Sequence, residues 1–187
     1  MPPAAPGHFW KTPFVCLAEH WHPPPSKRLR YQEADDLWLR RALPQTLATS
    51  LSESDQHLVA RLGPDLVADD LLAMVDEHFI RPPHWWRVGL DAEGQAVGFV
   101  LPVLFKEPEL DPQGQQRPEG TIFHMGVLPP YRGHGYALEL INEATRLCMS
   151  VRCWRVFCDT ASANAPMIKA FREAGYEELP PWQRPLS

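Results

Sequence analysis

The sequence predicts an α/β (α+β) fold, a sheet flanked by helices, on three observations. Apolar residues recur at helical spacing between residues 35 and 79. Residues 85–105 then switch to runs rich in Val, Phe, Leu and Trp, which suit strands. Residues 121–160 read in order as strand, Gly-containing turn, helix and strand. The chain has 187 residues, enough for one domain, and 44% of them are hydrophobic, enough for an ordinary core.

Proline marks the ends. Many of the 21 Pro residues fall before residue 26 or after residue 179, and Pro suits neither helix interiors nor central strands. Residues 1–26 are therefore expected to form an arm with little regular structure, packed through Trp10, Phe14 and Trp21, with residues 27–187 as the single domain. A short strand is expected over Lys27–Gln32, placing Leu29 and Tyr31 on one face. Asp35 or Asp36 can cap a helix carrying Leu39, Leu43 and Leu47, which Pro44 should kink or split. Ser52 with Asp55 resembles a capping box, and Gly63-Pro64 ends that second helix. Val67, Leu71, Met74, Val75 and Phe79 mark a third helix, stopped by Pro82-Pro83.

Trp85–Leu90 and Ala96–Phe105 flank a turn-forming Asp91–Gln95 stretch and predict a β-hairpin. Glu107–Glu119, with three Pro, is expected to be a mobile loop, either a lid or a variable insertion. Thr121–Val127 is an apolar strand ended by Pro129-Pro130. The helix after Gly135 should bury Ala137, Ile141, Ala144, Cys148 and Val151. Trp154–Thr160 is a further strand. Asn164 or Ala165 caps a last helix, with Pro166 in its first turn and Gly175 at its end. The tail from Tyr176 can add a strand before Pro180.

Composition excludes several functions. A net charge of −5 argues against a general nucleic-acid binder, which needs a basic surface. No apolar run is long enough for a transmembrane helix, so no membrane partner is expected. Nothing resembles a signal peptide. Cys16, Cys148, Cys153 and Cys158 form no CxxC pair and read as buried free thiols, which suits a cytoplasmic protein. His20 and His22 lack a partner motif, so no metal site is expected.

Chemistry concentrates in Val127–Ala137. A strand feeding a Gly-rich turn and a helix N-terminus presents unpaired amides and the positive end of the helix dipole to an anion. Gly133 and Gly135 let the main chain approach a phosphate, and Arg132 adds a cation at the rim. No GxxxxGK[ST] or GxGxxG pattern is present, so neither a P-loop nor a dinucleotide fingerprint explains the turn.

Arg132-Gly-His-Gly135-Tyr-Ala137 resembles the R/Q-x-x-G-x-G/A signature of the GNAT N-acetyltransferase superfamily. Val127-x-Pro129 upstream, and Asn164-Ala-Pro-Met167-Ile168 followed by Phe171 and Gly175-Tyr176, match the family's context over about Thr121–Tyr176. The resemblance implies a central mixed sheet in which two parallel strands splay apart to form a CoA cleft. It implies acetyl-CoA as acyl donor and a primary amine of a small molecule or peptide as acceptor. By position, Val127 would hydrogen-bond pantetheine through its main chain, and the Met125 amide would polarise the acetyl carbonyl. Amides of Gly133, His134, Gly135, Tyr136 and Ala137, with Arg132, would hold the pyrophosphate. The Asn164 side chain would face the pantetheine arm.

Two side chains common in the family are replaced. Phe171 stands where a Tyr general acid is usual, and Thr121 where a Glu is usual. Substitutes are Glu119 at the strand's start, His124 in mid-strand, or a water chain. A lysine-like amine, with a pKa of ~10.4, must lose a proton before it can attack. His124 has opposite side-chain parity to Met125 and can face a helix instead. Cys158 and Thr160 can reach the cleft, but direct transfer needs no nucleophilic thiol. A catalytically silent CoA-binding module and a nucleotide-binding protein of another family are the alternatives. The Trp- and Pro-rich ends can make a homodimer contact.

Overall fold

The computed structural model describes residues 2–22, 24 and 28–186. Its elements follow in chain order: β1 (His8–Leu17), β2 (Arg30–Glu33), α1 (Asp36–Leu47), α2 (Glu53–Leu62), α3 (Pro64–His78), β3 (Phe79–Ile80), β4 (Arg87–Leu90), β5 (Ala96–Phe105), β6 (Glu119–Val127), α4 (Tyr136–Ser150), β7 (Arg155–Ala161), α5 (Ala165–Glu173), β8 (Glu177–Glu178) and β9 (Trp182–Pro185). The strands form one mixed sheet in the order β2-β4-β5-β6-β7-β1-β8, with β3 on β5 and β9 on β1. Among the described residues the only parallel pair is β6 with β7.

Side-chain alternation along the strands creates two cores. Val88, Phe99, Leu101 and Val103 face α1 and α3, where they meet Leu39, Leu43, Leu47, Val67 and Val75. The opposite face packs on α4 and α5: Phe14, Cys16, Val156 and Cys158 meet Ile141, Leu147, Cys148 and Phe171. Beside them, Val100 packs with Leu29, Leu140 and Ala144. Each face buries apolar surface worth about 25 cal/mol per Å² against solvent.

The helices start where the sequence provides caps. Asp35 accepts from the Trp38 amide at 2.7 Å, and Ser52 accepts from the Asp55 amide at 3.4 Å. Gly63 separates α2 from α3, with Pro64 opening the latter. Leu29 and Tyr31 do share one cluster, although the strand is Arg30–Glu33. Lys27 lies outside the described residues.

Several expectations are corrected. The N-terminal segment is no irregular arm, because His8–Leu17 forms β1, paired with β7 on one edge and with β8 and β9 on the other. Pro13 is tolerated because it falls between the stretch paired with β9, which ends at Lys11, and the stretch paired with β8, which begins at Phe14. Its missing N–H is not needed there, while its carbonyl accepts from the Leu179 amide at 2.9 Å. Pro44 does not split α1, whose buried Leu39, Leu43 and Leu47 hold the helix to the core across the lost hydrogen bond. Helix α3 stops at His78, before Pro82, because Phe79 and Ile80 pair with β5.

The 107–119 segment is not a loose loop. Asp111 is buried at its centre, where its Oδ1 accepts from the Gln113 and Gln115 amides at 3.0 and 2.8 Å. Leu110 and Gln116 form a bridge across it. Val151 is exposed just past the end of α4, although Ile141, Ala144 and Cys148 are buried as the helical spacing requires.

Candidate active site

Strand β6 follows β5 along its whole length but leaves β7 almost at once. On the β7 side only Glu119↔Arg155 and Gly120↔Val156 are paired. On the β5 side the register runs from Gly120↔Leu104 to Val127↔Gly98. Past Gly120 the two parallel strands diverge. The Cys158 thiol stands in the angle between them, accepting from the Ile122 amide at 3.4 Å.

A bulge decides which amides face the opening. Opposite Leu101 and Pro102 lie His124 and Ile122, so Phe123 is an extra residue in β6. Pro102 offers no N–H, which favours an irregular ladder there. An extra residue reverses the backbone alternation. Before the bulge the even-numbered Ile122 amide points toward β7. After it the even-numbered Leu128 amide donates to Val97 O on β5 at 2.9 Å. The Met125 and Val127 amides therefore point away from β5, into the gap. Gly126 between them passes close to α1, where a Cβ would come within 2.7 Å of Thr46.

The chain then turns through a short 3-10 segment, Pro129–Tyr131, into the glycine loop. Gly133 and Gly135 adopt φ of 81° and 77°, a left-handed backbone that side chains disfavour. Helices α1, α2 and α5 have side-chain caps, but Gly135 gives α4 none. The first amides of α4 are thus left for an external acceptor. An uncapped helix start of this kind attracts an anion.

Arg132 is engaged differently from the sequence expectation. Its Nε donates to Val127 O at 3.0 Å, its Nη1 to Thr49 O at 2.9 Å and its Nη2 to Thr49 Oγ1 at 2.7 Å. It ties the end of β6 to the segment after α1. A second cation, Arg28, reaches the loop instead, donating through Nη1 to His134 O at 2.7 Å.

The acid–base candidates separate clearly. Glu119 is buried rather than on an exposed loop. It accepts from Arg155 Nε at 2.8 Å and the Glu109 amide at 2.9 Å, at the closed end of the gap. It is an anchor for the strand pair, not a free base. His124 stands on the α1 side of β6, its ring 6.1 Å from that of Phe99. Burial pulls its pKa below the usual value, partly opposed by the Asp55 carboxylate, with Lys11 adding to the lowering. It is therefore a neutral imidazole at neutral pH.

Phe171 is buried between Phe14, stacked at 4.9 Å, and Tyr176 at 5.2 Å. The Tyr176 hydroxyl is 2.6 Å from Thr145 Oγ1, and burial pushes its pKa well up, so it offers no acid to the gap. Thr121 and Thr160 are both buried. Burial pushes the Cys158 thiol up to about 12, so it is not a thiolate at neutral pH. Asn164 Oδ1 caps α5 through the Met167 amide at 3.3 Å. The bulge and Arg28 escaped the sequence reading. Pro102 inside a central strand is the one signal that pointed to the bulge, and Arg28 gave none.

A fork of parallel strands with inward amides thus stands beside an uncapped helix start. The Acetyltransferase (GNAT) family model matches residues 18–176. The chain belongs to that family. Strand β1 precedes the matched segment. A GCN5-related N-acetyltransferase from Sphaerobacter thermophilus has a similar fold, with a TM-score of 0.60 at 16% identity, covering 95% of this chain and 52% of that one. A GNAT-family acetyltransferase from Colwellia psychrerythraea gives 0.52 at 16% identity, covering 95% and 53%. An aminoglycoside N-acetyltransferase in complex with CoA gives 0.52 at 19% identity, covering 84% and 93%. The chain thus spans about half the length of the first two of these structures. No curated protein matches it.

Proposed function

We propose that the protein transfers the acetyl group of acetyl-CoA directly to a primary amine of a small molecule or peptide. The observation that carries this reading is the pair of inward main-chain amides, Met125 and Val127, in a gap that opens toward an uncapped helix. Phosphate oxygens of the donor sit on the amides of Gly133, His134, Gly135, Tyr136 and Ala137. Val127 offers its N–H to the pantetheine arm, while its carbonyl accepts from Arg132. Asn164 spends its Oδ1 on α5, leaving its amide nitrogen for the same arm.

At the thioester, the Met125 N–H holds the carbonyl oxygen as negative charge develops there, a contribution typically worth about 10²–10³ in rate. The amine nitrogen forms the new C–N bond while the C–S bond breaks and the thiolate leaves. Neutral His124, one residue from Met125, takes the amine proton through water on the α1 side of the sheet. No tyrosine donor stands on α5, so water returns the proton to the leaving sulfur. Arg132 acts by fixing the end of β6 rather than by touching phosphate.

No helix among the described residues is long and apolar enough to cross a membrane. The four buried free thiols support a cytoplasmic setting. Association into a homodimer is part of this reading and is tested by light scattering. The activity test is release of free thiol from acetyl-CoA across a panel of amines. Turnover with at least one amine is expected. A clear melting shift with CoA but no turnover across the panel would leave a silent CoA-binding module. Stabilisation by ATP or NAD but not CoA would reject the reading altogether.

A further inference from the structure

Two arginines stand by the glycine loop, and the sequence motif's own is already engaged through all three of its guanidinium nitrogens. Arg132 directs its guanidinium to Val127 O and to both oxygens of Thr49. Arg28 is built in the opposite sense. It arrives from the segment before β2, far from the loop in sequence, and is clamped from two sides.

Glu139, in the first turn of α4, accepts from Arg28 Nε at 2.6 Å through Oε1. Its Oε2 takes the Arg28 and Leu29 amides, each at 3.2 Å. Arg28 Nη1 donates to His134 O at 2.7 Å, and the guanidinium carbon lies 5.0 Å from the centre of the Tyr136 ring. The remaining nitrogen, Nη2, lies 3.4 Å from where a Cβ on Gly135 would stand. The carboxylate end of the pair is dry, at 11% exposure, while the arginine end is wet, at 48%.

This arrangement solves an electrostatic problem. Glu139 alone would place a buried carboxylate in the same helical turn whose amides await an anion, and like charges there repel. Arg28 neutralises it, and its unused donors are held against the loop in one orientation. A planar guanidinium fixed in advance is well suited to phosphate oxygens.

We propose that Arg28 is the phosphate-binding cation of the donor site and sets its selectivity for a phosphorylated donor. The assignment rests on the acetyl-CoA reading above. The phosphate it holds belongs either to the diphosphate or to the ribose 3′-phosphate, and two ligands separate these sources.

The experiment is calorimetry of the wild-type chain, Arg28→Gln, Arg28→Lys and Arg132→Gln with CoA and with 3′-dephospho-CoA, over a range of salt. Arg28→Gln is expected to weaken CoA binding about tenfold or more, as loss of a charged hydrogen bond does. Arg28→Lys is expected to recover part of that loss. The fall of affinity with salt should be shallower in Arg28→Gln, because one cation fewer meets the ligand. Equal weakening toward both ligands assigns the diphosphate, and weakening toward CoA alone assigns the 3′-phosphate.

Loosening of the β2–α4 contact would lower both affinities without changing their salt dependence, and that result overturns the proposal. So does CoA binding by Arg28→Gln within about twofold of wild type, which leaves the transferase reading standing. If the wild-type chain binds neither ligand, both readings fall together.

Discussion

Strand β6 borders β5 on one side and β7 on the other, and the two borders are built differently. Toward β5 it is paired from Gly120 to Val127, and Gly126 is pressed against Thr46 of α1. Toward β7 it is paired only at Glu119 and Gly120, where Arg155 ties the two strands together through Glu119. The first border commits its main-chain groups to the sheet, and the second leaves most of them outside it. The Phe123 bulge joins the two behaviours, because it turns the Met125 and Val127 amides from one side to the other. A sheet can open a cleft this way without an exposed edge, since β1 covers the far side of β7.

Substitutions on the open side should affect binding and spare the fold. The largest effect is expected for Gly135→Asp, which places a carboxylate at the mouth of the gap, within reach of Arg28, and imposes a side chain on a left-handed backbone. CoA affinity should fall about 100-fold or more, equivalent to ~2.7 kcal/mol, by calorimetry. Unchanged affinity would move the phosphate seat elsewhere. On the closed side the expectation reverses. Gly126→Ala forces a Cβ against Thr46 and should cost about 1–3 kcal/mol of stability, read as a lowered urea midpoint.

His124→Gln should reduce kcat about tenfold with little change in the KM for acetyl-CoA. It should also alter the response to acid. Burial holds the folded-state pKa of His124 below the unfolded value near 6.5. The unfolded chain therefore binds the proton first, and the stability due to neutral His124 is lost as pH falls below about 6.5. Urea midpoints at pH 5 and 7.5 should lie closer together in the Gln variant, and an unaltered difference would remove His124 from that role. The smallest effect is expected for Cys158→Ser, with kcat within about threefold of wild type, because a thiol titrating near 12 carries no acyl group at neutral pH. An acetylated Cys158 detected by mass spectrometry during turnover would contradict direct transfer.

The site was legible where local sequence dictates local backbone. Gly133 and Gly135 are read directly, because only a left-handed turn needs them, and Asp35, Ser52 and Asn164 cap the helices they precede. What escaped depends on partners distant in the chain. Pro13 looked incompatible with a sheet because nothing local shows that two separate strands leave a gap opposite it. Arg132 looked free, but Thr49 claims it from across the molecule. Glu119 looked like loop, and Arg155 makes it an internal anchor. Side-chain parity did place His124 away from Met125, since strand alternation is a local property.

Amide hydrogen exchange along β6 tests the central claim most directly. Gly126 and Leu128, turned to β5, should be protected with and without ligand. Met125 and Val127 should exchange quickly in the free protein and slow markedly when acetyl-CoA is added. Protection of all four amides in the free protein, or acetyl-CoA binding that leaves Met125 and Val127 exchanging as before, would contradict the account.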